Sequence, residues 1–152
     1  MSKFKIYLKS ILIPLILGSI VGFIISGSMD YSSLIKPTLS PPAVLFPIIW
    51  SILYFLMGLS YGIITIYSNL DSDVKTIYYS QLIVNLIWPI IFFAMKSRLL
   101  ALIWIILLLI LVIIMIVRFF TKNKTAAIIQ IPYLLWTIFA VYLNFSIYLL
   151  NK

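Results

Sequence analysis

Residues Leu99–Val117, LLALIWIILLLILVIIMIV, are apolar without interruption, and Arg98 and Arg118 close the run on either side. A bilayer core about 30 Å thick takes roughly 20 helical residues at about 1.5 Å of rise each, so a run of this length crosses once as a helix. A membrane β-strand is shorter, about 9–11 residues, and alternates apolar with polar side chains, which this run does not. In hydrocarbon a helix also satisfies its own backbone hydrogen bonds.

Working outward, four more charge-free stretches are at least as long: Ser10–Met29, Pro37–Leu70, Thr76–Met95 and Thr125–Asn151. The whole chain of 152 residues is 64% hydrophobic and 9% charged, against roughly 45–50% and about 25% for soluble domains. We read residues 1–152 as one all-α integral membrane domain, a bundle of five transmembrane helices. Helix one runs from about Phe4 to Ser26, helix two from about Ala43 to Tyr67, helix three from Val74 to Met95, helix four from Arg98 to Phe120 and helix five from Lys124 to Leu150. Pro47 falls in the first turn of helix two, where its missing N–H is tolerated. Lys3, Lys5 and Lys9 before an apolar run also fit a cleavable signal peptide, but the stripe Gly18, Gly22, Ser26 suits close helix packing, and we read a permanent span. The links at Lys96–Arg98 and Thr121–Asn123 are so short that helices three, four and five are antiparallel neighbours. The loop between helices one and two, Gly27–Pro42, is long and carries Pro37, Pro41 and Pro42; it serves either as a binding lid or as a passive cap.

The charges orient the bundle. With the N-terminus cytoplasmic, that side holds Lys3, Lys5, Lys9, Lys75, Arg118, Lys122 and Lys124, and the far side Lys36, Lys96, Arg98 and Lys152, which favours N-in. Anionic headgroups then account for the net charge of +8 without nucleic acid.

Chemistry is bounded by what is missing. There is no His, no Cys and no Glu, which removes thiolate and Ser-His nucleophiles and the usual zinc ligands. No ionisable Asp, Lys or Arg lies deep in a span, which argues against ion-coupled transport. The polar inventory at depth is amide and hydroxyl, set among Trp50, Trp88, Trp104 and Trp136. Gln81, Asn85 and Trp88 stand at i, i+4 and i+7 and share one helix face, so they point inward as helix-packing glue or as a pocket wall. Asp71-Ser-Asp73 mimics a metal-binding DxD but sits in a short polar turn without a nucleotide framework. Gly58-x3-Gly62 is a second small-residue stripe, for contacts within the bundle or between copies.

Several segments in order carry a resemblance: Lys36-Pro-Thr-Leu-Ser-Pro41-Pro42, Phe46-Pro-Ile-Ile-Trp50 through Tyr54 to Gly58, Gln81-Leu-Ile-Val-Asn85-Leu-Ile-Trp88, and Pro132-Tyr133-Leu-Leu-Trp136 through Phe139-Ala140 to Asn144. From about Tyr31 to Asn151 the chain resembles the TspO/MBR family, the tryptophan-rich sensory proteins, bacterial relatives of the mitochondrial translocator protein. The resemblance implies a multi-pass protein of the bacterial cell membrane, a homodimer whose pocket under the first loop binds porphyrins, haem, sterols and synthetic aromatic ligands. Carried over, the ligand-binding residues are Tyr31, Pro41, Pro42, Trp50, Asn85, Trp88, Trp136, Phe139 and Ala140. The protein then acts as a receptor, sensor or carrier for a tetrapyrrole or sterol-like molecule, with no cofactor required and porphyrin or haem as ligand. Some family members are associated with light- and oxygen-dependent breakdown of protoporphyrin, which implies Trp50 and Trp136 as catalytic residues in an enzymatic alternative. A structural or interaction protein without a small-molecule ligand is the third reading. Departures from the family pattern are Asp30 and Leu39 in the loop, which bear on lid closure and on affinity for flat ligands, and Pro89 after Trp88, which kinks helix three. Leu143, Tyr148 and Lys152 fit a proposed cholesterol pattern too loose to weigh heavily.

Overall fold

The computed structural model describes residues 1–152 and is all-helical, with no strand. Its elements are α1 (Lys3–Ile25), α2 (Leu45–Tyr67), α3 (Ser72–Pro89), α4 (Arg98–Phe120), α5 (Lys124–Ile129) and α6 (Ile131–Leu150). Five spans are long and apolar enough to cross a membrane, α5 and α6 together forming the fifth. Polar side chains start the helices where an orphan N–H needs a partner: Ser2 Oγ accepts from the Lys5 amide, Asp71 Oδ1 from Val74 and Asn123 Oδ1 from Ala126.

Two spans are interrupted, and proline is the reason in both: the break in the fifth is not expected from sequence, whereas a disturbance of helix three at Pro89 is. The fifth span is not one regular helix: Pro132 has no N–H for the carbonyl of Ile128, and the chain tightens at Gln130, whose N–H bonds to Ala127 instead. At Pro89 the same deficit leaves the Asn85 carbonyl without its helical donor. The next turn, Ile90–Ala94, widens to π geometry, with the Met95 N–H bonding back to Ile90 at 2.9 Å. Lys96 then reverses the chain at φ 53°.

Packing explains the small-residue stripes. A Cβ on Gly58 would lie 2.4 Å from Ile11 Cα and from the Ser10 carbonyl oxygen, so α1 and α2 meet backbone to backbone there. Gly18 holds the Tyr54 ring and Gly62 the Tyr7 ring, whereas Gly22 faces open space. The Gly58–Gly62 stripe therefore serves contacts within the bundle. Only Ser10, Pro14 and Ile25 of α1 are buried; its remaining apolar surface faces outward, as a lipid-exposed helix requires. In α4, buried Ala101, Ile105, Leu108, Val112, Met115 and Phe119 recur at alternating steps of four and three, the seam of a packed helix pair. That seam packs against α3 and α6, as the short links require. At the end where α2 meets α3, Lys122 pairs with Asp71, the Ser68 hydroxyl donates to the Lys122 carbonyl, and Lys3 sits over the Tyr67 ring.

Candidate functional site

The first loop folds over the opposite end of the bundle. Tyr31 is buried, its hydroxyl donates to the Pro41 carbonyl at 2.9 Å, and Lys36 Nζ donates to the carbonyls of Tyr31 and Leu34. Burial raises the Tyr31 phenol above its ordinary value, so it remains a neutral donor. Two ties fasten this loop to the helices. Arg98 Nη2 pairs with Asp30 Oδ2 at 2.8 Å, and the Asn151 amide bonds both the N–H and the carbonyl of Ile35.

Beneath the loop the aromatic rings form a continuous set. Tyr31 meets Phe46 edge-on at 5.0 Å, Phe46 meets Trp136 at 6.0 Å, and Trp136 meets Trp50 at 6.5 Å and 86°. Trp88 stacks on Phe92 at 5.1 Å from the other side. Between them runs a narrow crevice of about 20 Å³ lined by Tyr31, Phe46, Trp50, Trp88, Phe92, Phe93, Trp136, Ala140, Leu143, Asn144 and Ile147. Phe46, Trp50, Trp88 and Phe93 are also walls of a second cavity, about 320 Å³, which lies against α1 at Gly18, Ser19 and Gly22. This volume is at the lower end of the roughly 300–1,000 Å³ typical of small-molecule sites.

Polar groups are few and mostly committed. The Trp88 indole N–H donates to Asn144 Oδ1 at 3.1 Å, and the Asn144 amide donates to the Ala140 carbonyl. Tyr54 donates to Asn85 Oδ1, the Asn85 amide to the Tyr133 hydroxyl, and that hydroxyl to Gln81 Oε1, all within 2.8 Å. The Trp136 indole N–H is the exception: it is buried and has no partner. A planar apolar ligand could stack here and accept one hydrogen bond, but the walls offer no group for acid–base chemistry near neutral pH, and no cluster of metal-ligating side chains is present.

Of the residues expected from sequence, Tyr31, Trp50, Trp88, Trp136 and Ala140 are brought together around the crevice. The other four sit elsewhere. Asn85 is spent in the amide–phenol network. Pro41 and Pro42 shape the loop, the first accepting from Tyr31 and the second from the Leu45 N–H. Phe139 packs on the outer side of Trp136, in a shallow groove with Ile49 and Pro132. Trp104 is structural, donating to the Val84 carbonyl. The sequence reading missed Phe46, Phe92, Phe93 and Asn144 as wall residues, and the glycine face of α1. Asn144 stands four residues after Ala140, on one helix face, and was within reach of periodicity; Phe92 and Phe93 both face inward only because the π turn shifts the register, which periodicity does not reveal.

Comparison with known proteins agrees with this architecture. The model of the TspO/MBR family matches residues 10–150. A tryptophan-rich protein TspO from Archaeoglobus fulgidus is 40% identical over 147 residues, 93% of this chain and 94% of the relative. Another from Chlorobaculum tepidum is 38% identical over 128 residues, 82% and 81% of the two chains. The translocator protein of Bos taurus is 31% identical over 132 residues, 83% and 77%.

Proposed function

The chain belongs to the TspO/MBR family of membrane sensor and translocator proteins, and from that premise we propose that it is a receptor or carrier for porphyrins, haem and related flat hydrophobic ligands. One observation carries the reading: Trp50, Trp88 and Trp136 face one crevice, Trp50 and Trp88 are also walls of a cavity of about 320 Å³ beside it, and the Trp136 N–H is buried and unpaired. Indole faces suit a conjugated macrocycle, and a buried donor without a partner costs about 1–3 kcal/mol until a ligand acceptor meets it. The crevice is too narrow for a tetrapyrrole as it stands, so binding requires the loop over Tyr31 and the Phe46 ring to give way.

The test is quenching of tryptophan fluorescence by protoporphyrin in detergent or nanodiscs. Saturable quenching is expected, with Trp136→Phe weakening affinity about tenfold, the equivalent of about 1.4 kcal/mol. Folded protein without saturable quenching would instead be a closed structural or interaction protein. A second reading, light-driven oxidation of bound porphyrin by dioxygen, draws on the edge contact of Trp50 with Trp136. It predicts bleaching under light faster with protein than without, abolished in a Trp50→Phe, Trp136→Phe double variant that still binds.

The proposal includes a homodimer in a bacterial cell membrane with a cytoplasmic N-terminus. The orientation draws on the cation count, since the end carrying Lys122 and Lys3 is the more basic. Sterol-like ligands belong to the same proposal, in the same cavity.

A further inference from the structure

At the end of the bundle opposite the aromatic crevice, a separate cavity of about 330 Å³ opens between the first turns of α1, the last turns of α2 and the first turns of α3. Lys9, Lys75, Tyr61, Thr65, Tyr78 and Tyr79 are among its walls, and Ile6 and Ile13 of α1 give it an apolar side. Several neighbouring polar groups are committed elsewhere. Lys122 is paired with Asp71, Lys3 lies over the Tyr67 ring, and the Thr65 hydroxyl donates to the Tyr61 carbonyl. Lys9 and Lys75 make no ion pair, side-chain hydrogen bond or cation–π contact. Tyr78 is 1% exposed, sandwiched on Tyr61 at 4.2 Å, and its hydroxyl has no hydrogen-bond partner. Two uncommitted ammonium groups, a ring of phenols and an adjoining apolar wall describe a receptor for an amphiphile with an anionic head.

We infer that this cavity is a phosphate site that holds the headgroup of an anionic phospholipid from the adjoining leaflet. Lys9 and Lys75 neutralise the phosphate, Tyr61 and Tyr79 sit at headgroup depth as amphipathic rings do, and an acyl chain continues along Ile6 and Ile13. The site uses none of the residues of the aromatic crevice, so its fate is independent of the porphyrin reading. A basic segment near an anionic surface attracts lipid diffusely; a walled cavity with two lysines binds one molecule in a defined stoichiometry.

Native mass spectrometry of the full chain, released from micelles doped with phosphatidylglycerol or phosphatidylcholine, tests it. One phosphatidylglycerol per chain is expected to survive release, and phosphatidylcholine is not. Lys9→Gln and Lys75→Gln should each reduce retention about fivefold, the weight of one lysine near an anionic surface, while Lys5→Gln, at the same end but outside the cavity, leaves it unchanged. Equal losses in Lys5→Gln and Lys9→Gln, or equal retention of the two lipids, would overturn the site in favour of diffuse attraction. Displacement of the lipid by millimolar inorganic phosphate, with the same lysine dependence, would overturn the lipid assignment and identify a soluble phosphate ligand.

Discussion

At the scale of the residue, the shared face of Gln81, Asn85 and Trp88 divides its labour. The two amides are glue and the indole is wall: Asn85 joins Tyr54 of α2 to Tyr133 of α6, and Trp88 borders both cavities. Removing one hydroxyl tests this. Tyr133→Phe deletes the acceptor for Asn85 and the donor to Gln81, both fully inside the bundle. Interhelical hydrogen bonds in bilayers average about 0.6 kcal/mol, so two give about 1 kcal/mol, and two stranded amide groups raise the total toward about 2 kcal/mol. Thermal unfolding in detergent should show that loss, while porphyrin quenching changes less than threefold because the hydroxyl is not a cavity wall. A large loss of affinity with unchanged stability would instead place this network in the binding site. That these residues point inward was legible from their spacing; which of them meets a ligand was not, because glue and wall have the same helical phase and differ only in what the neighbouring helices bring to meet them.

At the scale of the element, legibility followed how much contrast a helix carries. The length and flanking charges of α4 defined the span, but its buried seam was hidden, since every side chain from Leu99 to Val117 is apolar and burial leaves no trace in such a run. The reverse holds for α1 and α2, where glycine marks contact. The two stripes nonetheless differ by position. A Cβ at Gly58 strikes the backbone of Ser10 and Ile11, which no rotamer change relieves, whereas one at Gly22 meets nothing within 4 Å. Gly58→Val should therefore cost about 1–3 kcal/mol by forcing α1 away. Gly22→Ala should be neutral or stabilising by up to about 1 kcal/mol, the helix-propensity gain. Gly22→Leu, which projects into the cavity of about 320 Å³, should keep the fold and weaken porphyrin quenching. Comparing unfolding and quenching for the three variants checks the assignment; equal destabilisation by Gly22→Ala and Gly58→Val would refute it.

At the scale of the molecule, the scarcity of acids organises both ends. Of the three carboxylates, Asp71 and Asp30 are each spent on tying a connection down, to Lys122 and to Arg98. The Lys122 ammonium, more than any other group, holds the Asp71 carboxyl below its ordinary value. A lowered folded-state value means that the tie contributes fully above the ordinary carboxylate range, about pH 4, and is lost as pH falls through the lowered value. A lower amide protection factor near Asn123 in acid, with exchange referred to the intrinsic rate at each pH and the change reversed on neutralisation, is the expected sign. At the other end the tie has a functional position, because the loop it holds covers the crevice. Asp30 meets Arg98 at the start of α4, while Asn151 at the end of α6 grips Ile35 through both backbone groups. The two anchors lie on either side of Tyr31, so a flat ligand that displaces Tyr31 and Phe46 must first strain one of them. An anchor acting as a latch sets rates more than affinity when the Asp30–Arg98 and Asn151–Ile35 ties re-form over the bound ligand, because they then contribute equally to the free and the bound state. Arg98→Ala should accordingly raise both the association and dissociation rates of protoporphyrin about fivefold, for a part-buried charge-assisted pair worth about 1 kcal/mol, with little change in their ratio. Asn151→Ala should act in the same direction through an independent contact, and the double variant should combine the two. Stopped-flow quenching reads both rates in all three variants. A fall in affinity with an unchanged association rate would show instead that Arg98 supports the pocket itself, and the loop would then be a passive cap.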